Sequence, residues 1–384
     1  MLMPSVNKVN QILARTTVPS NPWQGTPLQV EFALPQHLGK CVDNVLEFVL
    51  QVKTTSGTGS LVLAPTTYWC QRIEVLNGGQ VIEQVEADEI HQETYNFLSD
   101  QQYNTLAPYL NANPAGGFAD GISTSTTAKT LKFYLPLWAN ILNTAQIMPK
   151  GFQSEWRFRL TLAPSITVLD GTSGSNSISL EALTLYTTEA NLSDSAAQQL
   201  EYAHRSGVAY RTIIRNKFTR NENSLPSTAD YNVIMTTFTT DSAGLLVYIR
   251  AQDTTPDYFL DRQPLNYIAL RDSANSELTI NLPVPLILGF ITPNAVSLPS
   301  AQPGSYDPNT GAVSNGNNFL FPFCSNLAQV LKTGKVLGGY KLTGQERVLL
   351  RPLTTLSNMT VCVISYEYVV MTVQAGKVVI ERRA

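Results

Sequence analysis

One stretch limits the choice of fold more than any other. From Trp156 the chain reads Trp-Arg-Phe-Arg-Leu-Thr-Leu, with Trp156, Phe158, Leu160 and Leu162 at one parity and Arg157, Arg159 and Thr161 at the other. A period of two belongs to a strand with one buried and one solvated face, and a one-residue slip would turn every side chain over. Upstream, Phe133-Tyr134-Leu135-Pro136-Leu137-Trp138 is an apolar, aromatic run too short for a core helix. It reads as a buried strand with Pro136 near its end, where a missing N–H does least damage. Between the two, Ala139–Ile147 suits a short helix and Met148-Pro149-Lys150-Gly151 punctuates it. Strand, compact crossing and strand form a structural device that carries no chemistry.

The rest of the chain follows the same grammar. Val30, Phe32 and Leu34 alternate, as do the apolar residues of Val42–Val52, and Leu61–Ala64 is a further short strand. Asn77-Gly78-Gly79 between Ile73–Leu76 and Gln80–Glu83 predicts a hairpin, because these residues tolerate positive φ. Ala87–Leu98 has a helical pattern, Asn111–Thr130 is a long polar loop, and Ile178–Tyr186 alternates again. Ser193–Ala203 offers a Ser N-cap followed by good helix formers.

The second half repeats the plan. Strands are predicted at Tyr210–Phe218, Val233–Thr239 and Leu245–Arg250, with a hairpin of Pro264–Arg271 and Glu277–Leu282 around Asp272–Ser276. A long Pro/Gly/Asn/Ser loop, Thr292–Asn318, precedes the aromatic run Phe319–Phe323. A loop with Gly334, Gly338 and Gly339 crosses to Arg347–Leu350, and Val361–Val373 and Lys377–Ile380 close the chain. About eight strands per half is the count of a jelly roll, two packed sheets with Greek-key links. The fold class expected is therefore all-β, two eight-stranded jelly rolls in tandem with short helices in the connections. The predicted boundaries are an N-terminal arm at 1–24, a first jelly roll at 25–192, a linker helix at 193–206 and a second jelly roll with a basic tail at 207–384. Within the arm, Val6, Val9, Ile12 and Leu13 recur at helical spacing beside Lys8 and Arg15, which predicts an amphipathic helix over Ser5–Arg15.

Composition narrows the function classes. Of 384 residues 43% are hydrophobic, which is ordinary, but only 14% are charged, well below the usual ~25%. Such a surface is uncharged-polar or covered by partners. A net charge of −3 gives no basic field to gather nucleic acid. The start lacks a secretion-signal pattern, and Leu282–Ile291, broken by Pro283 and Pro285, is too short to span a membrane. Synthesis in the cytoplasm is the reading that follows. No catalytic or nucleotide-binding motif occurs: G-x-S-x-G, H-E-x-x-H, G-x-x-x-x-G-K-[ST] and G-x-G-x-x-G are all missing.

The remaining candidates have plainer readings. His37 lies four residues from Cys41, but no second close pair completes a zinc site. His91 sits among Glu86, Asp88, Glu89 and Glu93, which reads as the solvated face of a helix. Cys41, Cys70, Cys324 and Cys362 show no disulfide framework. The sequons at Asn191 and Asn358 are chance without a secretion signal, and Phe319, Phe321 and Phe323 pack a core rather than stack on bases or sugars. Lys377, Arg382 and Arg383 form a basic tail. Catalytic, cofactor-binding and metal residues are accordingly none.

In this setting the sequence resembles the double jelly-roll major capsid proteins of tailless icosahedral viruses. Phe133–Trp138, then Ile147-Met148-Pro149 and Trp156–Leu162, is similar to that family's F strand, short helix and G strand in the first barrel. Leu245–Arg250 with Leu265–Asp272 resembles core strands of the second barrel, and Phe319–Phe323, Gly334 and Arg347–Leu350 its F–G region. Tyr366–Val373 with Gly376 is similar to the closing strand. The resemblance implies a structural, non-enzymatic protein of the virion. It implies homotrimers of pseudo-hexagonal outline that tile a shell beside penton and minor capsid proteins, with no cofactor and no small-molecule substrate. It further implies that the arm and the basic tail face an internal membrane or the genome, so that deleting residues 1–15 spares trimers and impairs assembly. The alternative is a carbohydrate-binding tandem β-sandwich, as in a spike or lectin-like module, but Asn111–Thr130 offers only Phe118 and Thr292–Asn318 only Tyr306 as loop aromatics. A cupin-type enzyme would need a histidine cluster that three histidines do not supply.

Overall fold

The computed structural model describes residues 7–13, 28–56, 60–63, 70–86, 88–89, 122–123, 127, 129–137, 141–144, 147–162, 168–170, 175–190, 192–252, 265–276, 278, 305–307, 312–314, 319–374 and 377–381. The chain forms two compact units. One comprises Met1–Thr94, Gln101–Tyr210 and Met371–Glu381, and the other Tyr95–Asp100, Arg211–Val370 and Arg382–Ala384. Segment 371–381 thus belongs with the first half, whereas the expected boundaries gave everything after 207 to the second.

The first unit runs β1 (Asn7–Leu13), β2 (Leu28–Ala33), β3 (Lys40–Ser56), β4 (Ser60–Leu63), β5 (Cys70–Asn77) and β6 (Gln80–Glu86). It continues with β7 (Ile122–Ser123), β8 (Lys129–Pro136), helix α1 (Ile141–Thr144), β9 (Trp156–Leu162), β10 (Val168–Asp170), β11 (Ser175–Ala190) and helix α2 (Asp194–Arg205). Two four-stranded sheets are built from these, β1-β11-β3-β8 and β2-β9-β5-β6, and a small sheet β10-β4-β7 stands beside them in the topology. An apolar row crosses the whole first sheet: Ile12 lies opposite Leu185, Leu185 opposite Leu46, and Leu46 opposite Leu135. All four are buried, so cross-strand contact fixes the register. In the second sheet β9 alternates without a break, with Trp156, Phe158, Leu160 and Leu162 buried and its arginines half exposed. Those arginines hold the sheet's other face: Arg159 reaches Glu31 at 2.8 Å and Glu74 at 3.6 Å, and Arg157 reaches Glu155 at 2.8 Å.

The second unit runs β12 (Tyr210–Leu225), β13 (Tyr231–Ile234), β14 (Asp241–Ala251), β15 (Leu265–Arg271), β16 (Ser305–Asp307) and β17 (Ala312–Ser314). Then come β18 (Phe319–Pro322), helix α3 (Leu327–Thr333), β19 (Tyr340–Lys341), β20 (Arg347–Pro352) and β21 (Leu356–Gln374), whose end from Met371, together with β22 (Lys377–Glu381), belongs to the first unit. Its principal sheets are β12-β21-β14-β18 and β13-β20-β15. Set beside the first unit, the order is the same: β12, β21, β14 and β18 take the places of β1, β11, β3 and β8, and β13, β20 and β15 those of β2, β9 and β5. Leu245, Val247, Ile249, Phe319, Phe321, Val361 and Val363 from one sheet meet Val233, Val348, Leu350, Ile268 and Leu270 from the other in a single core. This is sandwich packing, inner faces interdigitated. Residues Thr360–Met371 of β21 are buried without alternation, so this strand is covered on both faces.

Local chemistry agrees with most of the expected elements. Gly78 and Gly79 adopt φ of 57° and 86°, the double positive φ of a type I′ hairpin between β5 and β6. The Ser193 hydroxyl accepts the Ala196 N–H at 3.4 Å to cap α2. Gly207, at φ 71°, ends the same helix, and the Val208 N–H reaches back to the Ala203 carbonyl, the six-to-one bond of a Schellman motif. Pro136 ends β8 as expected. The expected helix over Ala87–Leu98 lies outside the described residues apart from 88–89, as does the second arm of the 264–282 hairpin beyond Leu278.

Two expectations are corrected. Ser5–Arg15 does not form an amphipathic helix: Asn7–Leu13 is a strand whose seven residues pair antiparallel with β11 from Ala190 to Thr184. A helix this short is marginal in water and contains β-branched Val9 and Ile12 and two asparagines, whereas the edge of β11 supplies a partner for each residue. The second crossing is not a bare loop either. It contains α3, capped by Asn326, whose side chain accepts the Gln329 N–H, and ended by Gly334 at φ 66°.

Candidate functional site

The chemistry-bearing side chains are dispersed, and the structure places each in a structural setting. His37 is exposed while Cys41 is fully buried, so the pair does not converge on a metal, and His91 lies outside the described residues. Burial, followed by the charge of Glu189, pushes the Cys41 thiol up to about 12, and burial does the same to Cys70. A thiol held protonated is neither nucleophile nor ligand near neutral pH. All four cysteines are free.

The acidic group after β6 departs from its expected setting. Asp88 and Glu89 are buried rather than on a solvated face. One carboxylate oxygen from each of Glu86, Asp88 and Glu89 lies within 4.8 Å of the others, and an oxygen set of this kind suits a hard cation. Each of the three also engages other groups of the protein, which identifies the cluster first as part of the local packing. Nearby, the buried Glu83 accepts the Ile141 N–H at 2.7 Å, satisfying a free donor at the start of α1. A helical reading of Ala87–Leu98 could not reveal this burial, because it depends on tertiary neighbours.

The aromatic run at β18 is core, not platform. Phe319 and Phe321 are at most 1% exposed, and Phe323 packs on Tyr340 with ring centroids 5.4 Å apart. In the second unit a cleft of about 260 Å³ is lined by Arg211, Asp241, Val336, Gly338 and Tyr368. The Tyr368 hydroxyl donates to the Gly338 carbonyl at 2.7 Å. Burial, with the Cys324 thiol adding to it, pushes this phenol up to about 12, so it is no acid–base group at neutral pH. Within the two long loops lie β7, in 111–130, and the β16–β17 hairpin, in 292–318. Among the described residues, no helix is long and apolar enough to cross a membrane. Arg382 and Arg383 lie outside the described residues, and Lys377 is exposed.

What the chain presents is therefore architecture: two units, each with two principal sheets, in one repeated strand order. No family profile and no curated protein sequence matches the chain. Among solved structures it is similar to VP54 of PBCV-1, as fitted into a reconstruction of the virophage Sputnik, with a TM-score of 0.66, 13% identity, and 99% of this chain and 97% of that one covered. It is similar to the Faustovirus major capsid protein, with a TM-score of 0.62, 8% identity, and 96% and 90% covered. It is also similar to the major capsid protein of mavirus, with a TM-score of 0.57, 10% identity, and 97% and 90% covered. The fold of this chain is the double jelly roll of those viral capsid proteins.

Proposed function

We propose that this protein is a major capsid protein, a structural subunit that self-associates to build the shell of a virion. The observation that carries the reading is the repeated strand order of both units, matched to capsid proteins over nearly the whole of this chain and theirs. The low charge content supports it, since much of the surface would be covered by copies of the chain. In this reading three chains form a trimer whose six barrels give a pseudo-hexagonal outline, and trimers tile an icosahedral lattice by repeated contacts. Further partners are penton and minor capsid proteins. The protein acts as scaffold, not catalyst, is made in the host cytoplasm and resides in the virion. The basic tail at Arg382–Arg383 is the segment we assign to an internal membrane or the genome. Residues 7–13 pair with β11 in the first sheet, so any such contact by the arm would be made by a strand and not by a free helix.

Light scattering on the purified protein over a range of concentrations tests this. A trimer of three times 42.1 kDa that persists on dilution, and hexagonal arrays by electron microscopy, are expected. A monomer at every concentration that shifts only with added oligosaccharide would replace this reading with the carbohydrate-binding one.

A further inference from the structure

In the sheet β13-β20-β15 of the second unit, the register sets Ile234, Arg347 and Arg271 side by side in one row. Val348 and Leu350 of β20 and Ile268 and Leu270 of β15 point into the core, so this row lies on the opposite, outer face. Two arginines directly opposite each other on one face repel. Other outward arginines of these strands are paired. On β9, which holds the matching place in the first unit, Arg157 reaches Glu155 and Arg159 reaches Glu31, and on β20 itself Arg351 reaches Asp230 at 2.7 Å. Arg347 differs. Its Nε–H is buried and meets no acceptor, and among the described residues its guanidinium forms no ion pair. The carboxylates adjacent in sequence are committed elsewhere: Glu346 accepts the Thr343 N–H and hydroxyl, each at 2.9 Å, and Asp272 accepts the Ser276 N–H at 2.7 Å. Asp230 serves Arg351, two residues and about 7 Å along the strand. Arg271 is engaged in its own turn, its Nη1 donating to the Asn275 Oδ1 at 3.3 Å.

We propose that Arg347, with the charge of Arg271 beside it, binds a compact oxyanion of the phosphate or sulfate class. A buried donor on a cation is costly to leave unmade. An anion seated at the two guanidiniums accepts from that donor and offsets the repulsion across the strands. The Nε–H and an adjacent Nη–H of one guanidinium make a planar fork that fits two oxygens of such an ion. The Arg347 side chain is half-buried, and a turn of its long stem brings the fork to the solvent side. Ile234, 38% exposed, flanks it on β13 and offers no competing side-chain acceptor. Because Nε lies below the surface, the ligand is a small free ion. Every group of the site belongs to the second unit, so the site does not depend on assembly.

Isothermal titration calorimetry of the full chain, with inorganic phosphate added at constant ionic strength to a phosphate-free buffer, tests this. Saturable binding is expected, and sulfate should compete for it. Folded Arg347→Gln should bind about tenfold more weakly, equivalent to about 1.4 kcal/mol. Arg351→Gln, which removes a cation that is already paired, should bind as the parent does. A parent with no saturable binding at constant ionic strength overturns the proposal by itself, whatever the variants do. Phosphate affinity in Arg347→Gln equal to that of the parent overturns it as well.

Discussion

Ile12→Ala separates a strand from a tethered arm. Ile12 is 7% exposed and stands opposite Leu185 at the end of the apolar row that runs through Leu46 to Leu135. Truncation removes three buried carbons at ~0.8 kcal/mol each. It leaves a gap at an edge strand that can relax, which places the loss near the lower end of the roughly 2–5 kcal/mol span for Ile→Ala. A loss of about 2 kcal/mol in a unit of this size lowers Tm by about 4–8 °C. The control is Gln11→Ala, whose side chain points to solvent, with an expected change within about 0.5 kcal/mol. Differential scanning calorimetry of the two variants beside the parent reads both numbers. If Ile12→Ala melts within about 1 °C of the parent, the segment does not share the core and the strand assignment is wrong. By the same reasoning, deleting residues 1–15 strips an edge strand from the first sheet, so the expected outcome is a weakened first unit rather than intact trimers that fail to assemble.

Two further predictions follow from the perturbed groups. At about pH 8 a maleimide should label Cys324, which is half-buried, before Cys41 and Cys70, whose thiols at about 12 hold almost no thiolate; mass spectrometry showing Cys41 or Cys70 labelled as fast as Cys324 refutes this. Tyr368, raised from 10.0 to about 12, favours the folded state fully below its unfolded value and loses that contribution as pH rises through the folded one. Thermal stability should fall between pH 10 and about 12, and Tyr368→Phe should flatten that fall; an unchanged alkaline profile in the variant contradicts the assignment.

Where burial follows parity, the sequence was a sufficient guide. Trp156–Leu162 announces both its state and its faces, and Asn77-Gly78-Gly79 its turn, because in each case local chemistry and tertiary demand agree. Ser193 at the start of α2 is legible for the same reason. In the arm, Val9, Ile12 and Leu13 satisfy a helical spacing over a segment too short to distinguish that period from a strand's. The signal that could have corrected it lay in the internal repeat: the strand at Tyr210–Phe218 precedes the Val233 strand, so a strand was due before Leu28. Glycines at 334, 338 and 339 give the second crossing a loop-like composition that masks the Asn326 cap and the seven-residue helix it starts. The burial of Asp88, Glu89 and His204 is a property of neighbours distant in sequence, and no window of residues around them reports it.

Segment 371–381 completes the first unit, and the Val378 N–H reaches the Asn77 side chain at 3.3 Å across 301 positions of sequence. Translation at roughly 5–20 residues per second sets an interval of about fifteen to sixty seconds between those two residues. During that time β5 and β6 exist without the backbone donor that Asn77 accepts. The first half to emerge from the ribosome is therefore the last to be finished. A product cut short anywhere before 371 lacks a piece of both units, not of the second alone.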